Sequence, residues 1–285
     1  MNESIVVALD LTDQDITLIA YAKQIQVFYQ IDTVHFVHNI KTSEIDEIIA
    51  DMMEDVQIRP MILRSLEKKI ESIFTEKDSY KLTLLEGDNT EFGINEWVKQ
   101  LKKSCTVILG WKMPENGTGA MAQKFIRMFQ GDVLLIPKNT TFKLDAILVP
   151  TDLSSNFSKV KRKIDDLVTP AVQPRIQVIK TYNIPSLFFQ FIDDKETKQK
   201  AEHLILSQYN SLQKKLHIPT HWHIKAVYQQ GKSVADIIIR ENNNLATDII
   251  VLSAKGANTI ASIFLGSTTN ELISRDPFQT IYIVK

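Results

Sequence analysis

The sequence has few of the features that are typical of disulfide-bonded, membrane-bound or nucleic-acid-binding proteins. It contains one cysteine, Cys105, so an internal disulfide is excluded. The formal net charge is −1, so there is no overall basic field to attract nucleic acid or an anionic membrane. No apolar run approaches the roughly 20 residues needed to span a bilayer, and no basic leader or apolar signal segment precedes the first strand-like run. These absences predict a cytoplasmic protein that binds neither nucleic acid nor membrane.

The sequence does contain enough apolar residues to form the hydrophobic cores of ordinary globular domains. Hydrophobic residues make up 44% of the 285 residues and charged residues 24%, as in soluble globular proteins. This length suits two domains of about 140 residues each.

The two halves of the sequence repeat one pattern. The run from Ile5 to Thr12 aligns without gaps with the run from Ile147 to Ser154, at an offset of 142 residues. Three further matches follow in the same order: Glu86-Gly87 with Gln230-Gly231, Val107–Gly110 with Ile250–Ser253, and Leu134–Lys138 with Ile281–Lys285. This order predicts a duplication, with one domain at residues 1–138 and a second at 142–285, joined by a short polar linker.

Within each half, short β-rich runs alternate with longer helical patterns. We predict strands near 4–9, 32–38, 80–85, 105–109 and 132–137, and again near 144–149, 175–181, 221–228, 247–252 and 279–284. A long helix from Ser43 to about Phe74 should be broken or kinked at Pro60. The alternation is typical of an α/β protein in which each tandem repeat is a five-stranded, doubly wound parallel sheet with crossover helices.

The most informative segment lies near the C-terminus. A buried-type strand ends at Ser253, and Lys255 and Gly256 follow it. Further on, Gly266 precedes Ser267 and Thr268, and the spacing Thr268-x-x-Glu271 is typical of a capping box at a helix start. Backbone N–H groups, two hydroxyls and a helix dipole would converge there, which suits a phosphate, with Lys255 neutralising its charge. The alternatives are an ordinary strand–loop–helix connection and a solvated loop lysine.

Other polar residues fall at neighbouring strand ends of the second half. Asp152 follows the first strand, at the edge where open α/β sheets bind ligands, or it caps the next helix. Tyr182 ends the second strand and could stack on a base or simply pack. Gly231 closes the third strand and could form another wall of the site. His221 and His223 share a predicted strand face, but no carboxylate or cysteine is near them in sequence, so no metal site is expected.

The spacing of small residues around the C-terminal loop resembles the nucleotide loop of the universal stress protein family. That family's pattern is glycine, two residues, glycine, nine residues, glycine and then serine or threonine. Here Ser253, Gly256, Gly266 and Ser267 stand at those positions, with serine in place of the first glycine. Together with the duplication, the resemblance to tandem universal stress proteins covers essentially the whole chain.

The resemblance implies an adenine nucleotide, ATP or AMP, as the ligand of the second repeat, and leaves open an accompanying Mg²⁺ ion. It also implies that Thr151 and Asp152 lie against the adenosine portion. In the first repeat Met113 replaces the second glycine and the family's fixed spacing is lost, so that loop is degenerate. Asp10 is therefore expected to cap a helix. The implied role is sensing or protection, with at most slow ATP hydrolysis and no catalytic residues to name.

Two alternatives from other classes stay open. One is a protein-interaction module that no longer holds nucleotide, since Ser253 departs from the family pattern. The other is an enzyme that hydrolyses nucleotides. The apolar stretch from Ile184 to Ile192 either forms core or recruits a partner, which could be a second copy of the chain or an unknown protein.

Overall fold

The computed structural model describes residues 4–41, 58–101, 104–112, 119–170, 172–184, 194–255, 265–275 and 278–285. The chain divides into two compact units, unit 1 (Met1–Phe142) and unit 2 (Lys143–Lys285). Each is an α/β unit built on a parallel sheet, which confirms the predicted fold class.

Unit 1 contains five parallel strands in the order β3-β2-β1-β4-β5. Its strands are β1 (Ser4–Ala8), β2 (Val34–Ile40), β3 (Tyr80–Glu86), β4 (Cys105–Gly110) and β5 (Asp132–Ile136). Its described helices are α1 (Gln14–Tyr29), α2 (Ile58–Glu71), α3 (Thr90–Gln100) and α4 (Gly119–Met128).

Unit 2 has the same strand order, β8-β7-β6-β9-β10, again parallel throughout. Its strands are β6 (Ala146–Pro150), β7 (Arg175–Tyr182), β8 (His223–Tyr228), β9 (Ile249–Ser253) and β10 (Thr280–Val284). Its described helices are α5 (Phe157–Leu167), α6 (Asp194–Leu216), α7 (Val234–Leu245) and α8 (Ser267–Ile273).

The central strands are nearly continuous apolar runs because helices cover both faces of a doubly wound sheet. Val6 and Val7 in β1, and Ile250 and Val251 in β9, have no exposed surface. The carboxyl ends of all five strands of a unit point to one edge, so residues that follow the strands are collected there.

The long helix predicted from Ser43 begins outside the described residues. Within them, Pro60 lies in α2, which continues to Glu71, and a break or kink at Pro60 stays a prediction.

The strand ends test one match between the two halves. Gly87 donates its N–H to the Ile40 carbonyl at 3.0 Å, and Gln229 donates to the Tyr182 carbonyl at 2.9 Å. Relative to the strands, Gly87 is therefore equivalent to Gln229. Relative to the helices the predicted match of Gly87 with Gly231 holds, because each glycine lies two residues before the N-cap of the next helix, Asn89 or Ser233.

Candidate functional site

Two neighbouring strand ends form the centre of the candidate site in unit 2. Strands β6 and β9 pair in parallel, with Ile147 opposite Ile249. Their carboxyl ends therefore bring Thr151 and Asp152 beside Ser253. The site residues after β6 and β9 are thus brought to one edge, as the sequence predicts for strand ends of a parallel sheet.

Asp152 shapes the loop that follows β6. One of its carboxylate oxygens, Oδ1, accepts a hydrogen bond from the Ser154 N–H at 2.9 Å, and Thr151 Oγ1 accepts one from the Leu153 N–H at 2.9 Å. Leu153 has a left-handed backbone with φ of 60°, which these two bonds stabilise. Helix α5 begins at Phe157 with Asn156 at its N-cap, so the alternative that Asp152 caps the helix is wrong.

A lysine from the next strand lies against this loop. The Lys180 ammonium donates to the Asp152 carbonyl oxygen at 3.2 Å. Burial lowers the pKa of Lys180, and the nearby Asp152 carboxylate partly opposes that shift. The loop therefore presents both a carboxylate and an ammonium at the sheet edge.

The segment after β9 is held close to this loop. Ser253 Oγ accepts a hydrogen bond from the Lys255 N–H at 3.3 Å, and the Lys255 carbonyl accepts one from the Asn156 side chain at 3.4 Å. Asn156 thus connects the start of α5 to the segment that precedes Gly256. Gly256 itself lies outside the described residues.

Gly266, Ser267 and Thr268 return to the same strand end. The Gly266 N–H donates to the Ala254 carbonyl at 2.8 Å, which places the start of α8 beside the end of β9. Ser267 is exposed and Thr268 is half-buried. The backbone of Gly266, with φ of −58° and ψ of 145°, is one that any residue adopts, so the turn itself does not require glycine.

The predicted capping box at Thr268 is wrong. Helix α8 begins at Ser267 with Gly266 at its N-cap, so Thr268 lies inside the first turn. Glu271 instead accepts a hydrogen bond from Arg275 at 2.8 Å. The hydroxyl that ties the helix to the sheet belongs to Thr269, which donates to the Ser253 carbonyl at 3.1 Å and was not predicted.

Tyr182 and Gly231 lie further along the same edge. The Tyr182 hydroxyl donates to Glu202 of α6 at 3.1 Å, and its ring lies 5.5 Å from that of Tyr228. Gly231 follows β8, three strands from β9, and its φ of 76° explains the glycine by backbone conformation alone. The structure therefore places Tyr182 on the strand next to Asp152 and Gly231 at the outer end of the edge.

At the equivalent sheet edge of unit 1, the chain's own side chains bind one another. The Lys112 ammonium forms an ion pair with Asp10 and donates to Thr12 Oγ1 at 2.9 Å. Thr12 Oγ1 in turn donates to Asp10 Oδ1 at 2.7 Å. Burial alone would raise the pKa of Asp10, but the hydrogen bonds from Lys112 and Thr12 outweigh it and hold that pKa below its usual value. Helix α1 has Asp13 at its N-cap, so the prediction that Asp10 caps a helix is wrong.

A second buried ion pair supports the first. Asp15, which has no exposed surface, accepts from the Lys69 ammonium at 2.8 Å and from the Asp10 N–H at 3.0 Å. Lys69 also donates to the Thr12 carbonyl at 2.9 Å. Sequence reasoning missed this network, although the alignment of Lys112 with Lys255 was a signal for it.

Unit 2 carries the same residue types at this edge but a different set of contacts. Ser154, the counterpart of Thr12, has a buried hydroxyl with no hydrogen-bond partner among the described residues. No ion pair involving Lys255, the counterpart of Lys112, occurs within the described part of the chain. The network that satisfies the edge of unit 1 is therefore incomplete in unit 2.

The structure also shows why serine replaces glycine at position 253. In unit 1 a Cβ on Gly110 would lie 2.8 Å from the Gln14 carboxamide carbon. Gln14 is held there because its amide donates to the Ile136 carbonyl at 2.8 Å. In unit 2 the shorter Asn156 stands in place of Gln14, so a Cβ at Ser253 has room.

Neither a metal centre nor a membrane span emerges from the described residues. His223 begins β8, whereas His221 lies in the preceding turn, so they do not share a strand face. Within the described ranges, no three His, Cys, Asp or Glu side chains are grouped to hold a metal ion. Likewise, no described helix is both long and apolar enough to cross a membrane.

Comparison with known proteins identifies the fold. A universal stress protein from Archaeoglobus fulgidus DSM 4304 superposes with a TM-score of 0.60 at 14% identity, covering 100% of this chain and 97% of its own. A protein of unknown function from Pseudomonas aeruginosa PAO1 has a TM-score of 0.65 at 13% identity, covering 99% of this chain and 92% of its own. No protein-family model and no curated protein sequence matches. The chain has the fold of tandem universal stress proteins, which confirms the predicted resemblance at the level of the fold.

Proposed function

We propose that unit 2 binds an adenine nucleotide, ATP or AMP, at the carboxyl edge of its sheet. The observation that carries this proposal is the contrast between the two units. In unit 1 the aspartate, hydroxyl and lysine at this edge satisfy one another, whereas Ser154 Oγ is left unpartnered among the described residues of unit 2. Buried polar groups normally find partners, so an incomplete network at a ligand-binding edge favours a bound ligand.

The residues at this edge divide into two groups by chemistry. Phosphates would be held by the hydroxyls of Ser267 and Thr268, the ammonium of Lys255, and the backbone at Gly256 and Gly266, with Ser253 bordering them. The nucleoside would lie against Thr151, Asp152 and Tyr182, with Gly231 at the outer end. Mg²⁺ would take its oxygen ligands mainly from the phosphates and water.

The fold supports a role in the response to stress, and we propose that this role is sensing or protection in the cytoplasm. The similar Archaeoglobus fulgidus protein is a universal stress protein, and the likeness spans both units. Asp152 is the one site carboxylate after β6, and it already shapes its own loop. We therefore propose binding rather than dedicated catalysis.

A thermal-shift screen of the full chain with ATP, ADP and AMP tests the proposal directly. A ligand that binds only the folded state raises its apparent stability, so at least one nucleotide should raise the melting temperature. Calorimetric titration should then give about one site per chain, because only unit 2 keeps Gly266, Ser267 and Thr268.

Three variants locate the site within unit 2. Gly266→Val should reduce affinity most, because its side chain blocks close approach while the backbone conformation remains allowed. Ser267→Ala should remove one hydroxyl–phosphate hydrogen bond and lower affinity roughly ten- to hundredfold. Asp152→Ala should weaken binding, whereas its counterpart Asp10→Ala in unit 1 should leave affinity unchanged.

Two outcomes would contradict the proposal. If no adenine nucleotide stabilises the chain, the interaction-module alternative becomes the better account. If a nucleotide binds but Gly266→Val, shown by circular dichroism to be folded, retains full affinity, the nucleotide lies elsewhere. Turnover with a defined product that Asp152→Ala abolishes would instead establish an enzyme.

A further inference from the structure

A cleft of about 300 Å³ lies at the opposite, amino edge of the unit 2 sheet, away from the candidate nucleotide site. It is enclosed by the end of α5, the segment before β7 and the turn before β8. Ile176 and Trp222, both almost fully buried, form its floor, and Val168 and Pro219 stand in its walls. Its volume is at the lower end of the range of about 300–1,000 Å³ for small-molecule sites.

The cleft exists because α5 ends early. Helix α1 of unit 1 continues to Tyr29, whereas α5 ends at Leu167, although residues 5–40 and 147–182 align without gaps. Pro170 has no N–H to donate, its ring clashes with a helical carbonyl, and it disfavours helical backbone at Thr169. The last turn of α1 therefore has no helical counterpart in unit 2.

Unit 1 shows how the same place is closed when a suitable side chain is present. Gln26, the counterpart of Val168, is buried, and its amide donates to the Ser79 carbonyl at 2.9 Å. Its oxygen accepts from Lys23 at 2.9 Å. Valine at 168 can form neither bond, so this particular side-chain bridge is missing in unit 2.

The lining of the cleft indicates which ligand it accepts. The indole of Trp222 offers a flat apolar ring, and Pro174 and Pro219 add apolar surface beside it, which together suit an aromatic ring. The exposed carboxylate of Asp165 also lines the cleft, and its ion pair among the described residues is with Lys161 at 2.5 Å, four residues earlier on the same helix. An exposed pair of this kind contributes little stability, so the carboxylate remains able to accept a hydrogen bond from a ligand ammonium.

We propose that this cleft is a binding site for a small aromatic amine. The ring enters between Trp222 and the prolines, and the ammonium group binds Asp165 at the mouth. His221, exposed at the rim, borders the same opening. This site does not depend on nucleotide binding at the other edge of the sheet.

Phenethylamine and phenylacetate test the proposal on the full chain, since they share one ring and carry opposite charges. Calorimetric titration or ligand-observed NMR should show saturable binding of phenethylamine with a Kd of about 1 mM or lower. Phenylacetate should bind at least about tenfold more weakly, because its carboxylate meets that of Asp165. Equal binding of the two, or no saturable phenethylamine binding up to about 10 mM, would overturn the proposal.

Two variants locate the binding. Val168→Gln places an amide where unit 1 has Gln26 and can restore the bond to the segment before β8, although Asp165 stands where unit 1 has Lys23. The longer side chain should fill the cleft and abolish phenethylamine binding. Asp165→Asn, an exposed change that should leave the fold intact, should lower phenethylamine affinity by about tenfold and remove the preference over phenylacetate. If Val168→Gln does not fold, Asp165→Asn decides the matter alone. Unchanged affinity in either folded variant would refute this location.

Discussion

Gly110 and Ser253 occupy equivalent places in the two units, and the side chain above each one decides which residue fits. The Gln14 carboxamide lies across Gly110 and is fixed by its bond to Ile136. Asn156, which is one methylene shorter, stands in place of Gln14 in unit 2 and donates to the Lys255 carbonyl. What looks in the sequence like loss of a ligand-binding glycine is therefore also a change in packing with α5.

We expect Gly110→Ala to destabilise the chain by about 1–3 kcal/mol, because the new methyl group displaces Gln14 from a tightly packed position. Urea denaturation measures the change. Gln14→Asn in the Gly110→Ala background should recover most of the loss, since it reproduces the pairing of unit 2. Ser253→Ala is the matched control and should change stability far less. A Gly110→Ala variant as stable as the parent would show that Gln14 moves aside freely.

A second prediction at the scale of residues concerns the buried carboxylate of Asp15. Burial raises the pKa of Asp15 even though Lys69 lowers it. A carboxyl group whose pKa is higher in the folded state binds more protons there, so its contribution to the free energy of unfolding falls as pH rises through that window. Lys69→Met removes the compensating charge and should cost about 3 kcal/mol at neutral pH.

The loss caused by Lys69→Met should shrink as pH is lowered toward the raised pKa of Asp15, where the carboxyl group becomes neutral in the folded state. Denaturation at pH 7 and at about pH 5 checks this direction. Asp15→Asn added to Lys69→Met removes the buried charge and should restore much of the stability. A loss that is the same at both pH values would mean that lost packing of the lysine stem, rather than charge, is responsible.

At the scale of elements, the sequence predicts each described strand to within two residues at either end. Apolar runs such as that of β9 end abruptly at polar or small residues, so their bounds can be read locally. Helix starts were harder to predict. The start of α8 depends on the bond from Gly266 to Ala254, a contact across the loop that no local pattern reveals.

The capping box that the structure does contain is at the start of α7. Ser233 Oγ accepts from the Asp236 N–H at 3.1 Å, and Asp236 accepts from the Ser233 N–H at 3.3 Å. Ser233→Ala should therefore lower the free energy of unfolding by about 1 kcal/mol, measured by denaturation. Thr268→Ala, at the position wrongly predicted as a cap, should have little effect. Equal losses in the two variants would contradict these assignments.

At the scale of the whole molecule, the two units share a strand order but differ in what fills the edges of their sheets. The duplication and the position of Asp152 at a strand end could be predicted from the sequence. The closure of unit 1 could not, because Lys112 lies 102 residues from Asp10 and Lys69 lies 54 residues from Asp15. Only the folded sheet brings such distant side chains together.

Hydrogen exchange measured by mass spectrometry can test the asymmetry in the intact chain. A nucleotide bound as proposed should slow exchange in the segments after β6 and β9 and leave the segments after β1 and β4 unchanged. Exchange without nucleotide provides the baseline, and Gly266→Val with nucleotide provides the control. If nucleotide slows hydrogen exchange equally in both units, the Lys112–Asp10 pair does not prevent nucleotide from binding to unit 1.

The single cysteine gives the chain a natural reporter of its own opening. Cys105 is in β4 of unit 1, carries a thiol that is not in a disulfide, and is only 6% exposed. A thiol reagent can modify it only when that part of the sheet opens, so labelling reports opening in unit 1 and is silent about unit 2. The labelling rate gives the opening rate when the reagent reacts faster than the sheet recloses, and the opening equilibrium when it reacts more slowly. The wild-type protein thus carries a probe that distinguishes the two halves without any introduced label.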